Sequence, residues 1–281
     1  MSKIFVFGST GFIGGALVEK LDIYDIDYVT VGRRECDINL SLEDNDFSNL
    51  LNVVSGDDYF VFLTSISSPD VCNNETEFAY NINVVYTIKL IRELIDKNVK
   101  VVFSSTDLVY GSCDSMVDES TTVSPFGIYA NMKHKVESTF SGNKFFKSVR
   151  LSYVMGPGDK FTSMLLDCAA SGELVEIYNG FERNVVALSD VTEGIMQLVS
   201  KWDSFPFGVI NFAGPVCISR FDVVQHFKQI KCCKLECAQV NAPESFWDAR
   251  PKRLNMTSTI FTKLLGKEAK TVEQNLTTWC K

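Results

Sequence analysis

The run Ile4-Phe5-Val6-Phe7-Gly8-Ser9-Thr10-Gly11-Phe12-Ile13-Gly14-Gly15 restricts the fold of this chain more than any other stretch. Apolar β-formers at Ile4–Phe7 read as a buried strand, and helical spacing begins inside the glycine run and continues over Phe12–Leu21. Glycines at G-x-x-G-x-x-G spacing let the backbone turn sharply, let a pyrophosphate approach without a Cβ in the way, and let the helix pack close to the strand. The start of that helix presents free N–H groups to the anion. Gly8, Thr10, Gly11, Phe12, Ile13 and Gly14 are therefore the candidate phosphate cradle.

Beyond the cradle, short apolar runs alternate with longer amphipathic ones. Strands are expected at Tyr28–Val31, Tyr59–Leu63, Val99–Phe103 and Phe145–Leu151, and helices at Phe47–Val54, Glu75–Lys97 and Phe126–Phe140. In the third of the chain's helical stretches Ile82, Val85, Ile88, Ile91 and Ile95 recur at threes and fours, giving one apolar face. This order predicts an α/β chain of Rossmann type, a doubly wound parallel sheet covered on both faces. After Leu151 the alternation loosens at Gly156-Pro157-Gly158. The division expected is a nucleotide-binding domain over 1–155 and a smaller substrate-binding region over 156–281, with a soft boundary because late elements return to the first domain.

Composition narrows the function. A formal charge of -8 over 281 residues, with no concentrated basic patch, argues against nucleic acid and leaves room for a small anionic ligand. The opening Met-Ser-Lys leads into four apolar residues, short of a signal-peptide core, and no stretch is long enough to span a bilayer, so a cytoplasmic enzyme without membrane contact is expected. Nine irregularly spaced cysteines read as reduced thiols. Cys232, Cys233 and Cys237 lack a second ligand pair at zinc spacing, so no metal is expected.

The second strand runs into Arg33-Arg34 about twenty residues past the glycines, where an NAD site usually places a carboxylate. A guanidinium matches a 2′-phosphate, so NADP is the expected cofactor and NAD the alternative; a pair of solvated loop arginines is the plainer possibility. Farther on, one tyrosine of nine has a lysine four residues later: Tyr129, with Lys133. On a helix both side chains share a face. The pair follows Ser104-Ser105-Thr106-Asp107-Leu108-Val109-Tyr110-Gly111, which places Thr106 just past the carboxyl end of a strand, where open α/β sheets bind ligands.

Taken with the glycine spacing, this order resembles the extended branch of the short-chain dehydrogenase/reductase superfamily. The resemblance continues through Asn81-Ile82-Asn83-Val84, Arg150–Gly158 and Arg183–Val191. It implies that Thr106, Tyr129 and Lys133 are the catalytic set. Hydride arriving at a carbonyl carbon leaves charge on oxygen, so a proton donor must lie within reach; Tyr129 would give the proton, Thr106 would hold the oxygen, and Lys133 would lower the phenol's pKa and bind the cofactor ribose. It also implies that Asp37-Ile38 meets the adenine and that Thr64-Ser65-Ile66 passes the cofactor.

Arg183 and Arg250 stand where the family holds the diphosphate of a nucleotide sugar, and Arg250-Pro251 is similar to the dTDP-4-dehydrorhamnose reductase group. Dehydratases of the family follow their threonine with Asp-Glu; here Asp107, a further candidate at the substrate, precedes Leu108. The implied activity is reduction of a 4-keto-6-deoxy sugar. A 4-epimerase using the same residues and a cofactor-binding regulatory subunit remain alternatives, and a homodimer is the assembly usual in the family.

Overall fold

The computed structural model describes residues 2–231, 234–248 and 250–279. Its strands, in chain order, are β1 (Ile4–Phe7), β2 (Tyr28–Gly32), β3 (Ile38–Asn39), β4 (Tyr59–Phe62), β5 (Lys100–Thr106), β6 (Cys113–Val117) and β7 (Phe146–Leu151). There follow β8 (Tyr153–Met155), β9 (Val175–Tyr178), β10 (Glu182–Ala187), β11 (Val209–Phe212), β12 (Cys217–Ser219), β13 (Cys237–Val240) and β14 (Arg253–Met256). Seven of them form one parallel sheet in the order β11-β7-β5-β4-β1-β2-β3.

The sheet has two cores because its strands are apolar on both sides, as buried parallel strands are. Along β1 the side chains alternate: Phe5 and Phe7 pack with Leu90, Ile91 and Leu94 of the helix Thr87–Asp96, whereas Ile4 and Val6 pack with Leu17 and Leu21 of the helix Phe12–Ile23. The second face is completed by Val191, Ile195 and Leu198 of the helix Leu188–Ser200 and by Phe261 and Leu264 of the helix Thr259–Leu265. Residues from beyond 156 thus build the core of the first sheet, and β11 lengthens it beside β7. The strand order reverses between β1 and β4, which opens a crevice at their carboxyl ends.

A second, mixed sheet runs in the order β12-β10-β14-β6, with β8 also paired to β10. The pair β9-β13 and the helices Lys160–Ser171 and Arg220–Lys231 surround it.

Three elements differ from expectation. The strand expected at Val99–Phe103 runs on to Thr106, because Ser104, Ser105 and Thr106 pair with Val149, Arg150 and Leu151 and are buried despite their hydroxyls. The helix expected over Glu75–Lys97 begins at Pro69 and is interrupted at Glu75; a π-helical turn over Asn81–Tyr86 separates it from Thr87–Asp96. The stretch Phe47–Val54 condenses to one turn, Ser48–Leu51. Among the described residues no helix is long and apolar enough to cross a membrane, and no cluster of histidine, cysteine and carboxylate side chains could hold a metal ion. Cys232 and Cys233 lie outside the described residues.

Candidate active site

β1 delivers the glycine loop to the crevice. Gly8 takes φ +94°, and a Cβ there would lie 3.3 Å from the backbone of Leu63 and Thr64. Gly14 is more constrained still, since its Cβ would come within 2.0 Å of the Gly8 carbonyl oxygen. Gly11 caps the helix Phe12–Ile23 without any side-chain hydrogen bond, so the N–H groups of its first turn are free for an anion. Phe12 and Ile13 open that helix half-buried, Ile13 against the core.

From Thr10 and Gly11 a cleft of about 730 Å³ runs past Thr64 to Arg33 and Arg34. One end offers backbone donors and the other two exposed guanidiniums, a donor set that fits a dinucleotide with phosphates at both places. Glu35 shares the arginine end, at φ 55°.

Asp37 and Ile38 are not brought to the cleft. The Asp37 carboxylate accepts the Thr30 N–H at 2.9 Å and the Thr30 hydroxyl at 2.7 Å, which holds it below the usual carboxylate range, while Ile38 packs toward the core. β3 starts at Ile38, so the chain reaches the crevice a few residues later and lines it with Leu40, Ser41 and Leu42.

The opposite wall is set by a residue to which the sequence assigns no role. Asn83, buried in the π-helical turn, accepts the Ile66 N–H at 2.9 Å and donates its amide to the Ile66 carbonyl at 2.9 Å. From within the π turn it clamps the segment after β4. The motif Asn81–Val84 was the available signal, but nothing local in a sequence shows which asparagine bonds seventeen residues back.

Thr106 ends β5, buried, and its hydroxyl accepts the Leu108 N–H at 3.3 Å and lies 3.2 Å from Asp107 Oδ1. Tyr129 and Lys133 share a face of the helix Gly127–Thr139. Lys133 Nζ donates to the Ser104 carbonyl at 2.8 Å, 4.6 Å from the centre of the Phe103 ring and 5.8 Å from that of Tyr129. Burial brings the Lys133 ammonium down to about 7, against the pull of Glu137 and Cys72, and burial pushes the Tyr129 phenol up to about 12 although the Ser65 hydroxyl favours its ionised form. The lowering of the phenol is expected from Lys133 together with the positive charge of a bound nicotinamide; here the Lys133 ammonium is held on the Ser104 carbonyl.

The helix carrying this pair is anchored from behind. Glu137 receives the Arg150 guanidinium at 2.7 Å and the Ser148 hydroxyl at 3.0 Å; Arg150 reaches Tyr110 at 2.8 Å, and Tyr110 reaches Asn211 on β11 at 2.9 Å. This fully bonded buried network fixes Tyr129 and Lys133 against β5, β7 and β11.

On the substrate side the two expected arginines part company. Arg183 is buried, donating to the carbonyls of Glu182 at 2.7 Å and Pro251 at 2.5 Å, with Nε 3.9 Å from Asp107. Burial raises the Asp107 pKa in spite of that guanidinium and the Thr106 hydroxyl. Arg183 is therefore spent on holding Asp107 and the Pro251 backbone, and it does not present an open guanidinium to a diphosphate. Arg250 is at the surface, 4.8 Å over the Phe246 ring, with its fork on Asp70.

The chain is 26% identical over 256 residues to the GDP-6-deoxy-D-talose 4-dehydrogenase of Aggregatibacter actinomycetemcomitans, covering 84% of this chain and 83% of that one. It is 23% identical over 235 residues to the dTDP-4-dehydrorhamnose reductase of the same organism, covering 79% and 76%. Its fold superposes with a TM-score of 0.86 on a Bacillus anthracis dTDP-4-dehydrorhamnose reductase solved in complex with NADP, at 20% identity over 100% of this chain and 99% of the other. Residues 4–213, from the glycine loop through β11, match the model of the NAD dependent epimerase/dehydratase family, and the chain belongs to that family.

Proposed function

We propose that the chain reduces the C4 keto group of a nucleotide-linked 4-keto-6-deoxyhexose, with NADPH preferred to NADH. The observation that carries this is the meeting of Thr106, Tyr129 and Lys133 at the carboxyl end of β5, with Leu108 where a dehydratase needs its second carboxylate. The two curated relatives described above are named for chemistry at position 4 of a nucleotide-linked deoxysugar.

Bound in the cleft, a nicotinamide dinucleotide would supply the hydride. The protein's part is to bind and to move a proton. Gly8, Thr10, Gly11 and Gly14 shape the pyrophosphate cradle, Arg33 and Arg34 take the 2′-phosphate, and Thr64 faces the cleft between them. The Thr106 hydroxyl orients the keto oxygen. At about 12 the Tyr129 phenol keeps its proton at neutral pH, the form a reductase consumes. Lys133, brought to about 7 by burial and held on the Ser104 carbonyl, would bind the cofactor ribose.

The test is NADPH oxidation with dTDP-, UDP-, GDP- and CDP-linked 4-keto-6-deoxy sugars, product stereochemistry being read by NMR. A reductase consumes NADPH stoichiometrically; a 4-epimerase interconverts sugars without net oxidation, and a regulatory subunit does neither. Tyr129→Phe is expected to lower turnover by about 10²- to 10⁴-fold with cofactor affinity retained. Unchanged turnover would remove Tyr129 from the chemistry.

A further inference from the structure

We infer that Ser65 is a further catalytic residue: its hydroxyl bonds the Tyr129 phenol from the cofactor side and steadies the charge left on the phenol oxygen once that proton has gone to the substrate. The inference rests on the function proposed above.

Ser65 is half-buried and lines the cofactor cleft with Gly8, Thr10 and Thr64. Its hydroxyl is at the same time a hydrogen-bond partner of the Tyr129 phenol. The chain is pinned on both sides of it. Before it, the Leu63 N–H donates to the Phe7 carbonyl of β1 at 2.9 Å. After it, Asn83 holds both the N–H and the carbonyl of Ile66 at 2.9 Å, and the Cys72 thiol reaches the same carbonyl at 3.4 Å. Thr64 and Ser65 alone lie between these fixed points, so the hydroxyl is held in place before any ligand arrives.

The neighbours of the phenol give this hydroxyl its importance. Burial, the Cys72 thiol and Asp107 all resist a charge on the Tyr129 oxygen, whereas the Ser65 hydroxyl favours it. The Lys133 ammonium is held on the Ser104 carbonyl at 2.8 Å, and the Thr106 hydroxyl is engaged with Asp107 and the Leu108 N–H. In the reduction a hydride forms the new C–H bond at C4, the Tyr129 O–H bond breaks, and its proton forms the new O–H bond on the keto oxygen. The Ser65 O–H bond stays intact and donates to the phenolate. That hydrogen bond strengthens as the proton leaves, so it lowers the barrier more than it tightens substrate binding.

Ser65→Ala and Ser65→Thr test this in the NADPH-oxidation assay and in the reverse oxidation of the 4-hydroxy product with NADP. Ser65→Ala is expected to lower kcat about 10- to 100-fold, the worth of one hydrogen bond to a charged group, with KM for the sugar nucleotide and Kd for NADPH within about twofold of the parent. Ser65→Thr keeps the hydroxyl and should restore most of the rate. The reverse reaction needs the phenolate and so quickens as pH rises; without the Ser65 hydroxyl the phenolate forms less readily, and that rise should move to higher pH by about one unit. Melting temperatures that agree with the parent's show that the variants are folded. An unchanged kcat and pH profile in Ser65→Ala overturns the role of Ser65 and leaves the reductase standing. So does a loss that comes with weakened NADPH binding and is not restored by Ser65→Thr, because Ser65 then only shapes the cleft. A parent protein that turns over none of the 4-keto sugars overturns the proposed function and this inference together.

Discussion

The glycine loop and the segments that carry Arg183 and Arg250 are built differently. At the glycine loop the constraint lies in the backbone: Gly8 and Gly14 are required because any side chain would strike Leu63, Thr64 or Gly8 itself. At Arg183 and Arg250 the constraint lies in competition between side chains. Arg183 and Arg250 carry the same group, but one is consumed by carbonyls and Asp107 in the interior and the other rests on a surface carboxylate. A backbone constraint survives whatever surrounds it, whereas an arginine's role is decided by which acceptor reaches it first.

The sharpest way to break this contrast is Gly14→Ala. The added methyl would need more than 1 Å of separation between the helix Phe12–Ile23 and the loop, because the 2.0 Å contact is with the Gly8 carbonyl and two further backbone atoms lie within 3.0 Å. Cofactor affinity should fall by at least about 100-fold, the order expected when a binding backbone is displaced by an ångström. Fluorescence titration with NADPH measures it; near-parental affinity would show that the loop bends and that the cradle is not fixed by its backbone.

This difference also explains what could be seen in the sequence. Strands such as Ile4–Phe7 and Tyr59–Phe62 and the pair Tyr129/Lys133 follow from local pattern, because hydrophobic period and helical spacing act within a few residues. The end of β5 was hidden because Ser104, Ser105 and Thr106 look like a turn until Val149–Leu151 arrive alongside. Asn83 was hidden because its partner, Ile66, belongs to another element. The segment at Asp37-Ile38 differs for a related reason: Thr30, on the neighbouring strand, bonds Asp37 Oδ2 through both its N–H and its hydroxyl.

A second effect, of comparable size, separates the two arginines directly. Arg183→Gln should destabilise the protein by roughly 3 kcal/mol, since it strips donors from the Glu182 and Pro251 carbonyls and leaves Asp107 buried without its cation. Urea unfolding measures this. A large rise in KM for the sugar nucleotide with unfolding unchanged would return Arg183 to the ligand and erase the distinction from Arg250.

The smallest effect concerns the far end of the cofactor cleft, where backbone and side-chain control meet. Arg33 and Arg34 follow β2 in an exposed turn that also holds Glu35, so a cation pair and a carboxylate face the same end of the cleft. If the guanidiniums take the 2′-phosphate, Arg33→Ala should weaken NADPH about tenfold and leave NADH almost unchanged, because NADH lacks the group that Arg33 pairs with. Glu35→Gln should shift preference the other way, by relieving repulsion of the 2′-phosphate. Parallel Kd measurements with both cofactors decide the matter. Equal loss of NADPH and NADH on Arg33→Ala would mean that this turn shapes the cleft without reading the phosphate, and that cofactor choice is set by Glu35 or by the Leu40–Leu42 wall.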